Sequence, residues 1–343
     1  MKIENDVKQA GKMKEADIRP DRLVRQGLAL HKADVRKLTR HKKDFSKVPC
    51  PACRSGNYHI LFKKDGFGFV NCAECDTVFI NPRPTFKMLS EFYRSSMSLK
   101  HWNDKIFPAS ERSRRDHIFI PRVNRVVELC RKYGVAVNVL LDVGAGFGTF
   151  CEQIGKLDFF KQIIAVEPCH DLAESCRSKG IRVIEKPIEE VNFDERRIGA
   201  VTCFELIEHL YCPGDFLRIC SRGMHKGGLL ILTTPNIKGF DLSLLGRLSD
   251  NICGPNHLNY FTPDSIKHLL GKCGFKAIDI ITPGTLDAEI VRKKILSGKL
   301  DVSRRPFLRE ILIERWESAG VSFQNFLADN SFSSHMWVVA RKT

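Results

Sequence analysis

Long hydrophobic runs are missing from these 343 residues. No apolar stretch approaches the roughly eighteen to twenty residues that a membrane helix needs, so no span is expected. The opening residues Met1-Lys-Ile-Glu-Asn-Asp lack the apolar core of a signal peptide, and the expectation is a cytoplasmic chain. Acidic residues are outnumbered 40 to 55 by lysine and arginine, for a net charge of +15. The excess is uneven: residues 1–48 hold 14 Lys or Arg against 7 Asp or Glu. Within them Pro20 to Lys43 reads as a helix with a thin apolar stripe of Leu23, Leu28, Leu30, Val35 and Leu38. That helix could be an arm for nucleic acid or another polyanion, or simply a solvated helix resting on the body. It carries no aromatic side chains, which argues against a base-stacking platform.

Cysteine, by contrast, is plentiful: there are 13. Cys50-Pro-Ala-Cys53 and Cys72-Ala-Glu-Cys75 form two C-x-x-C knuckles at a spacing suited to a four-thiolate zinc site. Between them Tyr58–Phe62 and Phe67–Val70 flank Asp65-Gly66, a good hairpin turn, so the segment reads as a zinc ribbon with a structural Zn2+. The remaining cysteines, such as Cys151, Cys203 and Cys220, sit in apolar segments and act there as small hydrophobes. A reducing compartment fits that usage.

Downstream, the apolar run Val135–Leu141 reads as a buried parallel strand. It ends in Asp142-Val-Gly144-Ala145-Gly146-Phe-Gly148, and a helical pattern opens at Thr149. Glycine at every second position lets the backbone turn sharply and come close to a ligand. A second strand, Gln162–Val166, ends in Glu167, whose carboxylate can accept two hydrogen bonds from a ribose diol. Dinucleotide sites show G-x-G-x-x-G, and an acidic Asp142 would repel a pyrophosphate. The G-x-G-x-G spacing favours a cationic sulfonium ligand with an α-amino group.

These residues resemble the class I S-adenosylmethionine-dependent methyltransferases. The likeness continues through Lys179–Ile184 as a third strand, Gly199–Leu210 as a fourth strand and turn, and Gly227–Asn236 as a fifth. It implies a doubly wound α/β, Rossmann-like fold with a seven-stranded sheet. It also implies cofactor contacts from Asp142, Gly144, Ala145, Gly146, Gly148, Glu167, Pro168, Phe204 and Glu205, with Pro187 and Ile188 at the adenine. A cysteine ribbon followed by Asn81-Pro-Arg-Pro84 and a helix ending in Phe92-Tyr93 is similar to a bacterial subgroup found in polysaccharide, deoxysugar and secondary-metabolite pathways. The resemblance therefore implies a small-molecule acceptor, a sugar or sugar nucleotide.

Three side chains are candidates for the base. His209 follows the fourth strand, at the carboxyl edge where such sheets bind ligands. His257 and Tyr260 lie in Gly254–Phe261, and their spacing resembles an element near the acceptor in deoxysugar C-methyltransferases of the subgroup, although Asn256 stands where those enzymes have Glu. The expected layout is a basic arm over 1–45, a ribbon over 46–84, a helical connector over 85–134 and a methyltransferase domain over 135–343. Within that domain a helical insertion, 284–334, would lie as a lid over the acceptor, and the strand from His335 would return to the sheet edge. Two other readings stay open. One is an RNA methyltransferase gripping phosphates with the arm and ribbon, although Cys50 to Cys75 holds only three Lys or Arg. The other is an inactive cofactor-binding or regulatory protein.

Overall fold

The structure, a computed structural model, describes residues 14–193 and 197–343. The first thirteen residues of the expected basic arm lie outside the described residues.

Eleven strands among the described residues make two sheets. Four belong to the ribbon sheet: β1 (Tyr58–Lys64), β2 (Phe67–Cys72), β3 (Val78–Ile80) and β9 (Asn259–Tyr260). The other seven are β4 (Val139–Val143), β5 (Gln162–Val166), β6 (Arg182–Ile184), β7 (Ile198–Phe204), β8 (Met224–Pro235), β10 (Phe275–Ile281) and β11 (His335–Lys342). Their order is β10-β11-β8-β7-β4-β5-β6. β4 to β8 run parallel, as βα crossovers require. All five residues of β4 are buried, as expected of a strand covered on both faces. The chain winds outward from β4 to β6, then restarts at β7 on the other side of β4. That reversal opens a crevice above the carboxyl ends of β4 and β7, where ligands bind in such sheets.

The final strand corrects one expectation. β11 pairs antiparallel with both β8 and β10, so it lies inside the sheet and β10 takes the edge. Its side chains explain why. Met336, Val338 and Ala340 enter the core on one face of the sheet, and Trp337 and Val339 enter it on the other. A strand apolar on both faces would waste half its burial at an edge.

The ribbon sheet is completed from far away. β3 pairs with β9, which belongs to the same loop as His257. The Asp21–Thr39 helix covers this sheet, with Val35 and Leu38 packed among Phe67, Phe69, Ile80 and Tyr260. Its outer face keeps Arg22, Arg25, Lys32, Arg36 and Arg40 in solvent. From Met97 to Lys132 the chain is helical almost throughout, widened into π turns at Trp102–Ile106 and Arg115–Phe119. Pro121 stands in the first turn of the Ile120–Lys132 helix, where a missing N–H costs nothing.

Between β10 and β11 stand helices Asp287–Leu296, Pro306–Arg309 and Trp316–Asp329. Buried Asp287 ties their two ends together, accepting from Ser333 Oγ at 2.6 Å, Ser334 N at 2.5 Å and Gln324 Nε2 at 2.8 Å. The first of these helices reaches the Glu15–Ile18 helix through Lys293 Nζ to Glu15 Oε2 at 2.9 Å. No helix among the described residues is long and apolar enough to cross a membrane.

Candidate active site

The glycine turn caps β4. Gly144, Gly146 and Gly148 all have positive φ, and a Cβ on Gly148 would come within 2.8 Å of Cys176 Sγ, so only glycine fits there. Gly146 differs: a Cβ on it would stand in open space. Its backbone is the open face of the turn. Its N–H donates to Glu167 Oε2 at 2.9 Å, while Cys169 N–H donates to Glu167 Oε1 at 3.0 Å. Each carboxylate oxygen so held keeps a lone pair for a ribose hydroxyl. Burial raises the Glu167 pKa, and the two amides oppose that shift.

Asp142 is 3% exposed. Thr202 Oγ1 donates to its Oδ1 at 2.7 Å and Cys151 Sγ to its Oδ2 at 3.4 Å. Burial outweighs those bonds and raises its pKa to about 6. Its charge therefore acts through the turn that it supports, not by direct exposure. Ala145 is half-buried within the turn, Pro168 lies exposed just past Glu167, and Pro187 is half-buried. Ile188 packs into the main core. The Phe204 ring meets Phe150 edge-on at 4.9 Å and carries the Arg122 guanidinium over its face at 4.6 Å.

Opposite the glycine turn, the segment after β7 turns on Glu205, whose φ of 52° is unusual for a residue with a side chain. Its Oε1 accepts from Thr233 Oγ1 at 2.6 Å and lies 3.3 Å from Arg122 Nη2 and 3.5 Å from His335 Nδ1. Burial pushes its pKa up, but His335, Arg122 and Thr233 prevail and hold it near 2. Glu205 is thus a fixed anion. Three residues on, Glu208 is fully buried, with Oε2 accepting from Thr234 Oγ1 at 3.0 Å and Oε1 without a hydrogen-bond partner. Burial and then Glu205 push its pKa far up.

His209 and His257 meet edge to face, with ring centroids 4.7 Å apart. His257 Nδ1 lies 2.9 Å from the Asn251 carbonyl, which can only accept, so the proton sits on Nδ1 and Nε2 is left as an acceptor. Burial and the neighbouring His209 lower the His257 pKa to about 3. The ring is neutral at any working pH, suited to accepting a hydrogen bond from a hydroxyl and aligning it. Burial lowers the His209 pKa too. Tyr260 is placed differently. It is fully buried, and its hydroxyl donates to the Asn251 carbonyl at 3.1 Å while accepting from Cys253 N–H at 3.1 Å. Both functions of that hydroxyl are spent on the backbone that also holds His257.

Three arginines near this site were not singled out in the sequence: Arg19, Arg114 and Arg122. Arg122 lies a single turn into its helix, and no motif marks it. Its contact with Glu205 depends on how that helix crosses β7 and β8.

The four ribbon thiols converge. Cys50 Sγ and Cys75 Sγ are 3.5 Å apart, Cys53 Sγ and Cys72 Sγ 3.4 Å, and all four sulfurs lie within 4.8 Å of one another. A tetrahedral zinc with bonds of about 2.3 Å would separate its sulfurs by about 3.8 Å, so the set fits that ion. The two knuckles repeat one design. Arg54 N–H donates to the Cys50 carbonyl at 3.0 Å and Asp76 N–H to the Cys72 carbonyl at 3.1 Å, and both residues are left-handed. The Asn-Pro-Arg-Pro turn fastens the ribbon to the domain. Arg83, 1% exposed, donates from Nε to the Ile80 carbonyl, from Nη1 to the Tyr211 carbonyl and from Nη2 to Asn259 Oδ1.

Residues 112–280, from the connector through β10, match the family model described as a methyltransferase domain. Over those residues the chain is similar to S-adenosylmethionine-dependent methyltransferases. Its similarity to a protein of Mycobacterium tuberculosis strain H37Rv, named as a probable S-adenosylmethionine-dependent methyltransferase, is 29% identity over 40% of this chain and 48% of that one. With the ubiquinone biosynthesis O-methyltransferase of Bradyrhizobium diazoefficiens it shares 28% identity over 51% of this chain and 75% of the relative. The chain spans about half the length of the first of these relatives. A solved S-adenosylmethionine-dependent methyltransferase from Clostridium acetobutylicum superposes with a TM-score of 0.46 at 13% identity, covering 71% of this chain and 97% of the other. The matched segment holds the glycine turn, Glu167, His209, His257 and Tyr260, and leaves the ribbon and the Arg19 segment outside it.

Proposed function

We propose that this chain methylates a small molecule, a sugar or sugar nucleotide, with S-adenosylmethionine as donor and a structural zinc in the ribbon. The observations that carry the reading are the open Gly146 turn held to Glu167 after β4 and the paired rings of His209 and His257 after β7, the two strands between which the sheet order reverses.

Glu167 would hold the ribose, the glycine turn the aminoacyl end, and Pro187 the adenine side. When bound, S-adenosylmethionine supplies an electrophilic methyl group on a cationic sulfur. Glu205, a fixed anion among Arg122, His335 and Thr233, shapes the field at the mouth of the crevice. His257 Nε2 accepts a hydrogen bond from the acceptor hydroxyl and sets its lone pair in line, so that much of the rate comes from orientation, and the proton leaves to solvent as the methyl–oxygen bond forms. The helical insertion, linked to the Glu15–Ile18 helix, excludes water as a lid. Four thiolates leave a zinc ion no open position, so its work is to hold the ribbon, and through β9 the His257 loop.

Calorimetry with S-adenosylmethionine, followed by tritiated methyl transfer onto a panel of nucleoside-diphosphate sugars, tests the reading. Saturable cofactor binding and label in a sugar product support it. No cofactor binding by folded protein would end it. RNA as acceptor has one observation in its favour, the solvent-facing row of Arg22, Arg25, Lys32, Arg36 and Arg40. Labelled RNA, with binding that weakens steeply in salt, would support that reading instead.

A further inference from the structure

Two guanidinium groups stand beside the crevice: Arg114, with no carboxylate in ion-pair distance among the described residues, and Arg19, with only a 3.8 Å pair to Glu15. Arg114 Nη1 donates to the Ile18 carbonyl at 3.3 Å, and its guanidinium lies 4.7 Å over the Phe107 ring. Phe107 in turn meets Phe147, inside the glycine turn, at 5.9 Å. Among the described residues, no acidic side chain comes within ion-pair distance of Arg114. The next residue after Ile18 is Arg19. Its Nη1 donates to Asn251 Oδ1 at 3.2 Å, and the carbonyl of that same Asn251 holds His257 Nδ1. Its nearest carboxylate, Glu15, stands 3.8 Å away and is drawn closer, to 2.9 Å, by Lys293.

Arg114 therefore borders the cofactor turn, and Arg19 borders the His257 loop. Burial lowers the Arg114 pKa, Arg19 and then Arg122 add to that by repulsion, and Glu205 opposes them. Arg122 already faces Glu205. Such crowding of like charge in a half-buried place is unfavourable until an anion arrives, and a pair of planar forks is the side-chain geometry that suits phosphate or carboxylate.

We propose that Arg19 and Arg114 form a subsite for an anionic group, a phosphate or a carboxylate, on the methyl acceptor. The inference rests on the methyl-transfer reading above. It places the anion between the end of the Glu15–Ile18 helix and the connector, so that the acceptor's neutral hydroxyl reaches His257. Specificity for a charged acceptor then comes from two segments ahead of β4, the end of the Glu15–Ile18 helix and the connector.

The test is calorimetry on the full chain saturated with S-adenosylhomocysteine, at constant ionic strength, with inorganic pyrophosphate in one arm and malonate in the other. The tighter arm identifies the anion's chemistry. Arg114→Gln and Arg19→Gln should each weaken the preferred anion on the order of tenfold, the effect of losing a charge-assisted hydrogen bond. Arg114→Lys should retain part of the affinity, and its circular dichroism controls for folding. S-adenosylhomocysteine affinity should be unchanged throughout. If it binds while both anions bind wild type and the double variant equally, the inference is overturned and the methyl-transfer reading stands. If folded wild type does not bind S-adenosylhomocysteine, the reading beneath it falls.

Discussion

The two walls of the crevice are finished to different degrees. On the wall proposed for the cofactor both carboxylates are already engaged: Glu167 by two amides, Asp142 by a hydroxyl and a thiol. On the wall proposed for the acceptor Glu208 Oε1 and Asn256 Oδ1 are buried without partners, and His257 keeps a free Nε2. A rigid wall suits a ligand that never varies. Unsatisfied groups cost stability and are kept where a substrate will satisfy them. The walls also differ in construction. The cofactor wall comes mostly from one βαβ unit, and the acceptor wall from four segments that meet only in the folded chain.

The strongest way to break this contrast is through the ribbon. Zinc binding in small structural sites is worth about 10–16 kcal/mol, so Cys72→Ser should release the metal and unmake the ribbon sheet. Elemental analysis should find one zinc per wild-type chain and none in the variant. Methyl transfer should fall to background while S-adenosylmethionine binding survives, because only the acceptor wall depends on β9. Equal loss of both would show that the walls do not separate.

Next in size is His257→Ala. Turnover should drop by roughly 10²–10⁴, with cofactor affinity by calorimetry nearly untouched. His209→Ala is the comparison, and full turnover at His257→Ala would move the hydroxyl-aligning role to His209. Smaller again is Glu167→Ala. Loss of hydrogen bonds worth roughly 1.5–3 kcal/mol each should weaken S-adenosylmethionine at least tenfold and leave acceptor binding alone.

The smallest expected effect is on the anchorage of the helical insertion. Asp241, 1% exposed, is pushed up to about pKa 7, first by burial and then by the nearby Asp287. Unfolded, it would titrate near 3.9. The folded state thus holds an extra proton between about pH 4 and 7, and unfolding free energy should decline as pH rises through that window. Asp241→Asn should flatten the decline in urea melts. An unchanged slope would move the effect to another carboxyl.

How much could be read in advance follows the same division. The glycine turn, Glu167 and the cysteine pairs are local patterns, and local patterns fix local geometry. The sheet's parallel strands were legible as apolar runs. β9, two residues long, was not, because its pairing with β3 has no sequence period to announce it. Tyr260 shows the limit best. Its spacing from His257 was visible, but not that its hydroxyl would turn back to Asn251 and Cys253. Arg19 and Arg114 were hidden among many basic residues, since what distinguishes them is the company they keep in space. The final strand was expected at an edge because its place depends on β10, whose own exposure decides which of the two lies outside.

The closing of the ribbon by β9 sets an order of events during synthesis. The cysteines leave the ribosome early, yet the strand that completes their sheet emerges roughly 180 residues later, a long-range pairing of the kind that folds slowly. Until then β3 has an open edge, ready to pair with any neighbouring strand. A nascent chain halted before Leu258 would therefore expose that edge for good, and quality control in the cell would meet this protein first at its ribbon.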